Sequence, residues 1–163
     1  MREIDVLTGE VKKAAPGAVI TAHALGSCVG VIGYNTVTGE GGIAHIMLPG
    51  TSPRRIPGRD TRYTVDALEA LLEKLVPTGP ANRNIRAALA GGANVLKRPD
   101  DGVGRANIDS VREELEKRGI VIVAESVGDE IRRKISLDLS NGNLYCFEGD
   151  QTPKILATFR KKE

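Results

Sequence analysis

The sequence predicts a layered α+β domain, in which two helices pack on mixed but mostly antiparallel β-sheet. Two stretches carry the spacing of amphipathic helices, whereas most other apolar stretches are short or alternate with polar residues, as strands do. A chain of 163 residues is long enough to bury one core without staples. We therefore expect a single-domain α/β sandwich that spans residues 1–163.

The two helical stretches have apolar residues three or four positions apart. The first begins at Val65 and stops at Pro77, because proline cannot continue a helix. The second is expected to begin after Asn107, a possible N-cap, and to end at Gly119, a residue typical of the position after a helix. The apolar positions are Leu68, Leu72 and Leu75 in the first helix, and Ile108, Val111 and Leu115 in the second.

Strands are predicted where apolar runs are bounded by turn residues or alternate with polar residues. The predicted strands cover residues 28–34, 42–48, 120–125, 135–139, 144–147 and 155–159. Asn141-Gly142 is typical of a hairpin turn. The segment 49–59 is rich in proline, glycine and arginine, which indicates an exposed loop inside the domain.

Composition excludes several classes of protein. The 23 Lys and Arg nearly balance the 21 Asp and Glu, and there are only three Tyr, two Phe and no Trp, which argues against a nucleic-acid partner. No apolar segment has the length of a membrane span, and the first residues lack the apolar core of a signal peptide. The two cysteines are too few for a disulfide framework, although one bridge between Cys28 and Cys146 stays open. We expect a cytoplasmic protein with no membrane insertion.

A cysteine and a histidine form the most informative pair. If residues 28–34 and 42–48 form a hairpin with the loop 35–38, Tyr34 lies opposite Gly39 and Cys28 lies opposite His45. Their Cβ atoms would then be about 4.5–5.5 Å apart on the same face. At that separation an imidazole can take the thiol proton and later return a proton to a leaving group.

Neighbouring groups could assist such a reaction. The small residues before Cys28 allow backbone N–H groups near Ser27 and Cys28 to approach an oxyanion. Thr21 and Ser27 are candidate hydroxyl helpers. No cofactor is required for this chemistry.

Simpler interpretations remain open. Cys28 can be a small buried apolar residue, and His45 a hydrogen-bonded core histidine. A metal site formed by Cys28, His23 and His45 fits less well, because the spacing is not that of a known ligand set and no fourth ligand is evident. Cys146 lies in an alternating strand and is interpreted as structural.

Two blocks of sequence resemble a known family. Leu25-Gly26-Ser27-Cys28-Val29, followed by Gly42-Ile43-Ala44-His45-Ile46-Met47-Leu48-Pro49, is similar to the signature of the CheD family of chemoreceptor glutamine deamidases. Supporting similarity occurs in residues 90–93 and 104–107 and extends over most of the chain.

The resemblance implies a fold similar to the catalytic domain of cytotoxic necrotizing factor toxins. It implies hydrolysis of receptor glutamine side chains to glutamate, and in some members hydrolysis of receptor methyl esters, with Cys28 as nucleophile and His45 as general base and acid. The family also uses a Thr six positions before the Cys; that position is Ala22 here, so Thr21 and Ser27 are the candidates. The implied partners are the cytoplasmic helical region of chemoreceptors and CheC. The alternative is a non-catalytic module that binds CheC or the receptor.

Overall fold

The computed structural model describes residues 2–54, 60–77, 81–99 and 102–162. The described residues form ten strands, two α-helices and one short 3₁₀ helix, Asn82–Asn84. The strands are β1 Glu3–Asp5, β2 Val11–Ala14, β3 Val19–Leu25, β4 Val29–Asn35, β5 Gly41–Ile46, β6 Ile85–Gly91, β7 Val121–Val127, β8 Arg133–Asp138, β9 Asn143–Glu148 and β10 Lys154–Thr158. The helices are α1 Thr64–Leu75 and α2 Val103–Lys117.

The strands form two five-stranded sheets. The outer sheet has the order β1-β3-β8-β9-β10, and the inner sheet has the order β2-β5-β4-β6-β7. Within the described residues, β1–β3 and β6–β7 pair in parallel and the other neighbours pair antiparallel. This confirms the expected α+β class with mixed, mostly antiparallel sheet.

Two apolar cores separate three layers. One core combines buried side chains of both sheets, and the other combines inner-sheet side chains with those of α1 and α2. The inner sheet is therefore the middle layer and is covered on both faces. For this reason every residue of β4 and β5 is buried, and both strands appear in the sequence as continuous apolar runs.

The first helix agrees with its prediction, whereas the start of the second does not. α1 runs from Thr64 to Leu75, just before Pro77. α2 begins at Val103, so Asn107 is a buried residue inside the helix and not its N-cap. The first turn lacked an apolar signal because it packs through Gly104, whose missing side chain lets it approach the carbonyl of Gly92.

Glycines occupy the turn after α2 and the turn between β8 and β9. Gly119 follows α2 with a φ of 70°, and Gly142 closes the β8–β9 hairpin with a φ of 79°; glycine adopts both values readily. In the predicted loop 49–59, residues 49–54 are irregular and follow an isolated bridge at Leu48, and residues 55–59 lie outside the described part of the chain.

Candidate active site

Cys28 and His45 lie near each other, but not directly opposite as predicted. β4 and β5 pair with Gly30 opposite His45 and Tyr34 opposite Gly41, so the predicted register is wrong by two residues. The loop between the strands is longer than expected because the Asn35 side chain accepts hydrogen bonds from the N–H groups of Val37 and Thr38 and shapes a wider turn.

A shift of two residues leaves both side chains on the same face, since side chains in a strand alternate with a period of two. Cys28 directly precedes β4 and packs against the core between the two sheets. His45 points to that side as well, because its neighbours Ala44 and Ile46 belong to the opposite core. The two residues are thus diagonal neighbours across the strand pair, at a Cα separation of about 7–8 Å.

His45 is held in one orientation by a backbone carbonyl that lies just after β1. Its side chain is 1% exposed, and Nδ1 lies 3.1 Å from the carbonyl oxygen of Val6, the residue after β1. A carbonyl can only accept, so Nδ1 carries the proton and Nε2 presents its lone pair. Nε2 is buried and has no hydrogen-bond partner among the described residues, which leaves it free to act as a base.

Burial keeps the imidazole neutral. It lowers the pKa of His45, and the carbonyl of Val6 and the negative charge of Glu10 oppose this effect more weakly. A neutral imidazole is the form that can accept a proton from a thiol.

Burial also keeps the thiol of Cys28 protonated at rest. It raises the pKa of Cys28, while a hydrogen bond from that residue's own backbone N–H acts in the opposite direction. Cys28 and Cys146 are both free, so the bridge that the sequence left open is not formed. The resting pair is therefore a neutral thiol beside a neutral imidazole.

Glycines bring a second loop against the backbone of Cys28. The carbonyl of Cys28 accepts a hydrogen bond from the N–H of Gly92, and a Cβ on Gly91 would lie only 2.1 Å from that carbonyl oxygen. Ala93 donates in the same way to the carbonyl of Gly26. The glycines at 91 and 92 thus allow a close approach that fixes residues 26–28, which we call the Cys28 loop.

Asn107 joins the Cys28 loop to the end of β5. Its Nδ2 donates to the carbonyl of Ser27 at 2.9 Å and to the carbonyl of Met47 at 3.0 Å. This role is not evident from the sequence, in which Asn107 stands where a helix N-cap is expected. A signal was present, since Asn107 stands on the same face of the helix as Ile108 and Val111, where a polar residue must find buried partners.

The described residues contain no helix that is long and apolar enough to cross a membrane. The family described as CheD chemotactic sensory transduction matches residues 47–147. The chain belongs to the CheD family.

Curated CheD relatives match most of the chain. Proteins named "Probable chemoreceptor glutamine deamidase CheD" are 34% identical in Chlorobium luteolum, over 91% of this chain and 74% of the relative, and 33% identical in Thermococcus kodakarensis, over 87% and 90%. The protein of that name from Methanococcus vannielii is 38% identical over 80% of this chain and 86% of its own length. A match over 91% of the chain necessarily includes both Cys28 and His45.

Of the two candidate hydroxyl residues, Thr21 is turned away from the site. It lies between the fully buried Ile20 and Ala22, and its hydroxyl lies 2.9 Å from that of Ser136 on the outer face of the outer sheet. The structure does not bring this hydroxyl to His45. Instead, the carbonyl of Val6 orients the imidazole.

A β-bulge interrupts β3 just before the Cys28 loop. Ala22 pairs with Ile135 and Leu25 with Arg133, so β3 has one residue more than β8 between the two pairs. Ala24 takes up the extra length with a φ of 54°.

The remaining candidates have different surroundings. Ser27 stays next to Cys28 and is bound to Asn107 through its carbonyl. His23 is exposed, with Nε2 3.3 Å from Asp5, and is not part of the site. No group of three or more metal-ligating side chains occurs in the described part of the chain.

Proposed function

We propose that this protein is a cysteine-dependent amidohydrolase that converts glutamine side chains of chemoreceptors to glutamate in the cytoplasm. The observation that carries the proposal is the unpaired Nε2 of His45, fixed as an acceptor on the face that it shares with Cys28. The names of the curated CheD relatives support the substrate class. A single domain over residues 1–163 would hold the whole site.

Acylation begins with a proton transfer, since the resting thiol is neutral. His45 takes the thiol proton at Nε2 as the sulfur of Cys28 attacks the amide carbon of the substrate. The N–H groups of Ser27 and Cys28 stabilise the oxyanion. The imidazolium then gives its proton to the amide nitrogen, the C–N bond breaks, and ammonia leaves a thioester on Cys28.

Deacylation repeats the chemistry with water. His45 accepts a proton from water as the oxygen attacks the thioester carbon. The C–S bond breaks, the proton returns to sulfur, and glutamate is released. The net reaction consumes one water and produces one ammonia, with no cofactor.

The same chemistry extends to receptor methyl esters, where methanol would leave in place of ammonia. The resemblance to the CheD family further supports the helical cytoplasmic region of the receptor as docking partner and CheC as a second partner. Its implied likeness to the catalytic domain of cytotoxic necrotizing factor toxins stays a prediction.

A deamidation assay tests the proposal. The purified protein is incubated with the helical cytoplasmic fragments of chemoreceptors from the same genome, and glutamine-to-glutamate conversion is measured by mass spectrometry. Cys28→Ala should lower the rate by about 10³-fold or more, and His45→Gln by about 10²–10⁴-fold. Cys146→Ala is the matched control, because Cys146 is a free cysteine in the core, and it should stay active.

Two outcomes would contradict the proposal. Conversion that persists in Cys28→Ala would exclude cysteine catalysis. A wild-type protein without conversion, whose Cys28 resists alkylation even well above a pH of about 8.5, would favour the alternative of a non-catalytic module that binds CheC or the receptor.

A further inference from the structure

We propose that Asn107 is a positioning residue that orients the oxyanion-binding N–H of Cys28. The inference rests on the proposed function and extends it to a residue outside the Cys–His pair. It is carried by the two hydrogen bonds of the Asn107 amide and by its complete burial.

One of these bonds acts on the peptide group that also contains the Cys28 N–H. The carbonyl of Ser27 and the N–H of Cys28 belong to the same planar peptide, which is trans because the described chain has no cis bond. In a trans peptide the two groups point in opposite directions. By holding the Ser27 carbonyl at 2.9 Å, Asn107 therefore sets the direction of the Cys28 N–H, which lies in the same plane on the opposite side of the C–N bond.

The bond also polarises that peptide. A carbonyl that accepts a hydrogen bond makes the N–H of the same peptide a stronger donor, as in other chains of hydrogen bonds. The N–H of Cys28 belongs to the same residue as the nucleophilic sulfur, so it lies beside the place of reaction.

The second bond fixes the other half of the site. Met47 lies two residues after His45, and its carbonyl accepts from the same Nδ2 at 3.0 Å. One amide nitrogen thus links the backbone beside the nucleophile to the backbone beside the base. Asn107 is 80 residues from Ser27 and 60 residues from Met47 along the chain.

A purely structural role explains the residue less well. The Oδ1 of Asn107 is buried and has no hydrogen-bond partner among the described residues, which costs stability. Asn35 is a buried asparagine whose amide is fully paired. Its Nδ2 donates to the carbonyl of Leu75, and its Oδ1 accepts hydrogen bonds from two backbone N–H groups. A residue that leaves an acceptor unpaired is better explained by what its donors position.

Asn107→Asp tests the inference, because aspartate has the same shape but cannot donate to two carbonyls when ionised. Asn35→Asp is the matched control for losing a buried amide. We expect Asn107→Asp to lower kcat for deamidation by about 10–100-fold with KM changed less than about twofold, since a misdirected oxyanion donor affects the transition state alone. Asn35→Asp should lower kcat by less than about threefold at a temperature where both variants are folded.

A reaction that forms no oxyanion distinguishes a misdirected Cys28 N–H from a general disruption of the site. Alkylation of Cys28 by iodoacetamide displaces iodide at a saturated carbon and needs no oxyanion donor. We expect its rate in Asn107→Asp to stay within about threefold of wild type while deamidation falls. Equal loss in both reactions, or equal loss in Asn107→Asp and Asn35→Asp, would overturn the inference.

A spectroscopic measurement tests the geometry even if no deamidation is found. Labelling cysteine with ¹⁵N gives two amide signals, because the chain has two cysteines. Asn107→Asp should shift the Cys28 amide signal and leave that of Cys146 in place, whereas an unmoved Cys28 signal would exclude the proposed orientation. Asn107→Ser, with a single donor, serves if the aspartate variant does not fold. An inactive wild type with the expected shift would refute the proposed function but not the orientation.

Discussion

At the scale of single residues, the thiol of Cys28 and the imidazole of His45 are both neutral at rest. Burial lowers the pKa of His45 and raises that of Cys28, so in the proposed mechanism the proton moves only when a substrate is attacked. The lowered pKa also links His45 to stability. A neutral buried imidazole favours the folded state fully above a pH of about 6.5, the ordinary histidine value, and this contribution is lost as the pH falls through the lowered pKa.

The lowered pKa of His45 and the raised pKa of Cys28 predict two pH profiles. The acid limb of kcat/KM for deamidation should lie below a pH of about 6.5, because His45 must be neutral in the free enzyme. The rate of alkylation of Cys28 by iodoacetamide should rise with a midpoint above a pH of about 8.5, the ordinary thiol value. Both profiles are measured on the wild-type protein. Alkylation is also measured on Cys146→Ala, in which Cys28 is the single cysteine, so that the alkylated thiol is assigned.

An alkylation midpoint well below 8.5 would contradict this description. It would show that Cys28 and His45 form a thiolate–imidazolium pair before substrate binds.

At the scale of elements, most of the strands could be predicted from pattern. The strands β4, β5 and β7–β10 carry apolar runs or alternation. In contrast, β1 and β2 are short and largely polar, and β6 is rich in alanine, which has a low strand propensity. These strands form because neighbouring strands supply their hydrogen bonds, which no local pattern reveals.

The bulge in β3 stores local strain next to the site. Ala24 has a φ of 54°, a left-handed conformation that costs a residue with a Cβ about 1–2 kcal/mol. Ala24→Gly should raise the free energy of unfolding by about 0.5–1 kcal/mol, since the greater freedom of glycine in the unfolded chain offsets part of the relief. Chemical denaturation measures the change.

A nearby alanine provides the control for the bulge. Ala22 is fully buried in regular strand, so Ala22→Gly should destabilise by about 1 kcal/mol. Destabilisation by Ala24→Gly of the same size would refute the strain at the bulge.

At the scale of the whole molecule, paired glycines set the spacing of the layers. Gly33 and Gly42 lie opposite each other on the helix-facing side of the inner sheet. A Cβ at either position would come within 2.8 Å of a leucine side chain of α1. The missing side chains therefore let α1 pack directly on the sheet that carries His45.

Gly42→Ala should separate these layers. The added Cβ would also meet the backbone oxygen of Lys12 at 2.8 Å, which cannot move aside as a side chain can. We expect a loss of about 1–3 kcal/mol in the free energy of unfolding, measured by chemical denaturation. Gly102→Ala, where a Cβ meets nothing within 4 Å, should change it by less than about 0.5 kcal/mol. Equal effects of the two substitutions would exclude the close packing of α1 as the cause.

The sequence by itself determined the fold class, the two helices, and the presence of Cys28 and His45 on one face. These follow from local spacing, because the period of two in a strand survives a register error of two residues. The tertiary structure alone decided the register of β4 and β5, the carbonyl of Val6 as the group that orients His45, and the bonds of Asn107. Each depends on a side chain meeting a backbone group: two residues away in the turn at Asn35, 39 away at Val6 and 80 away at Ser27. A backbone carbonyl has the same chemistry in every residue, so only folding selects which one is used.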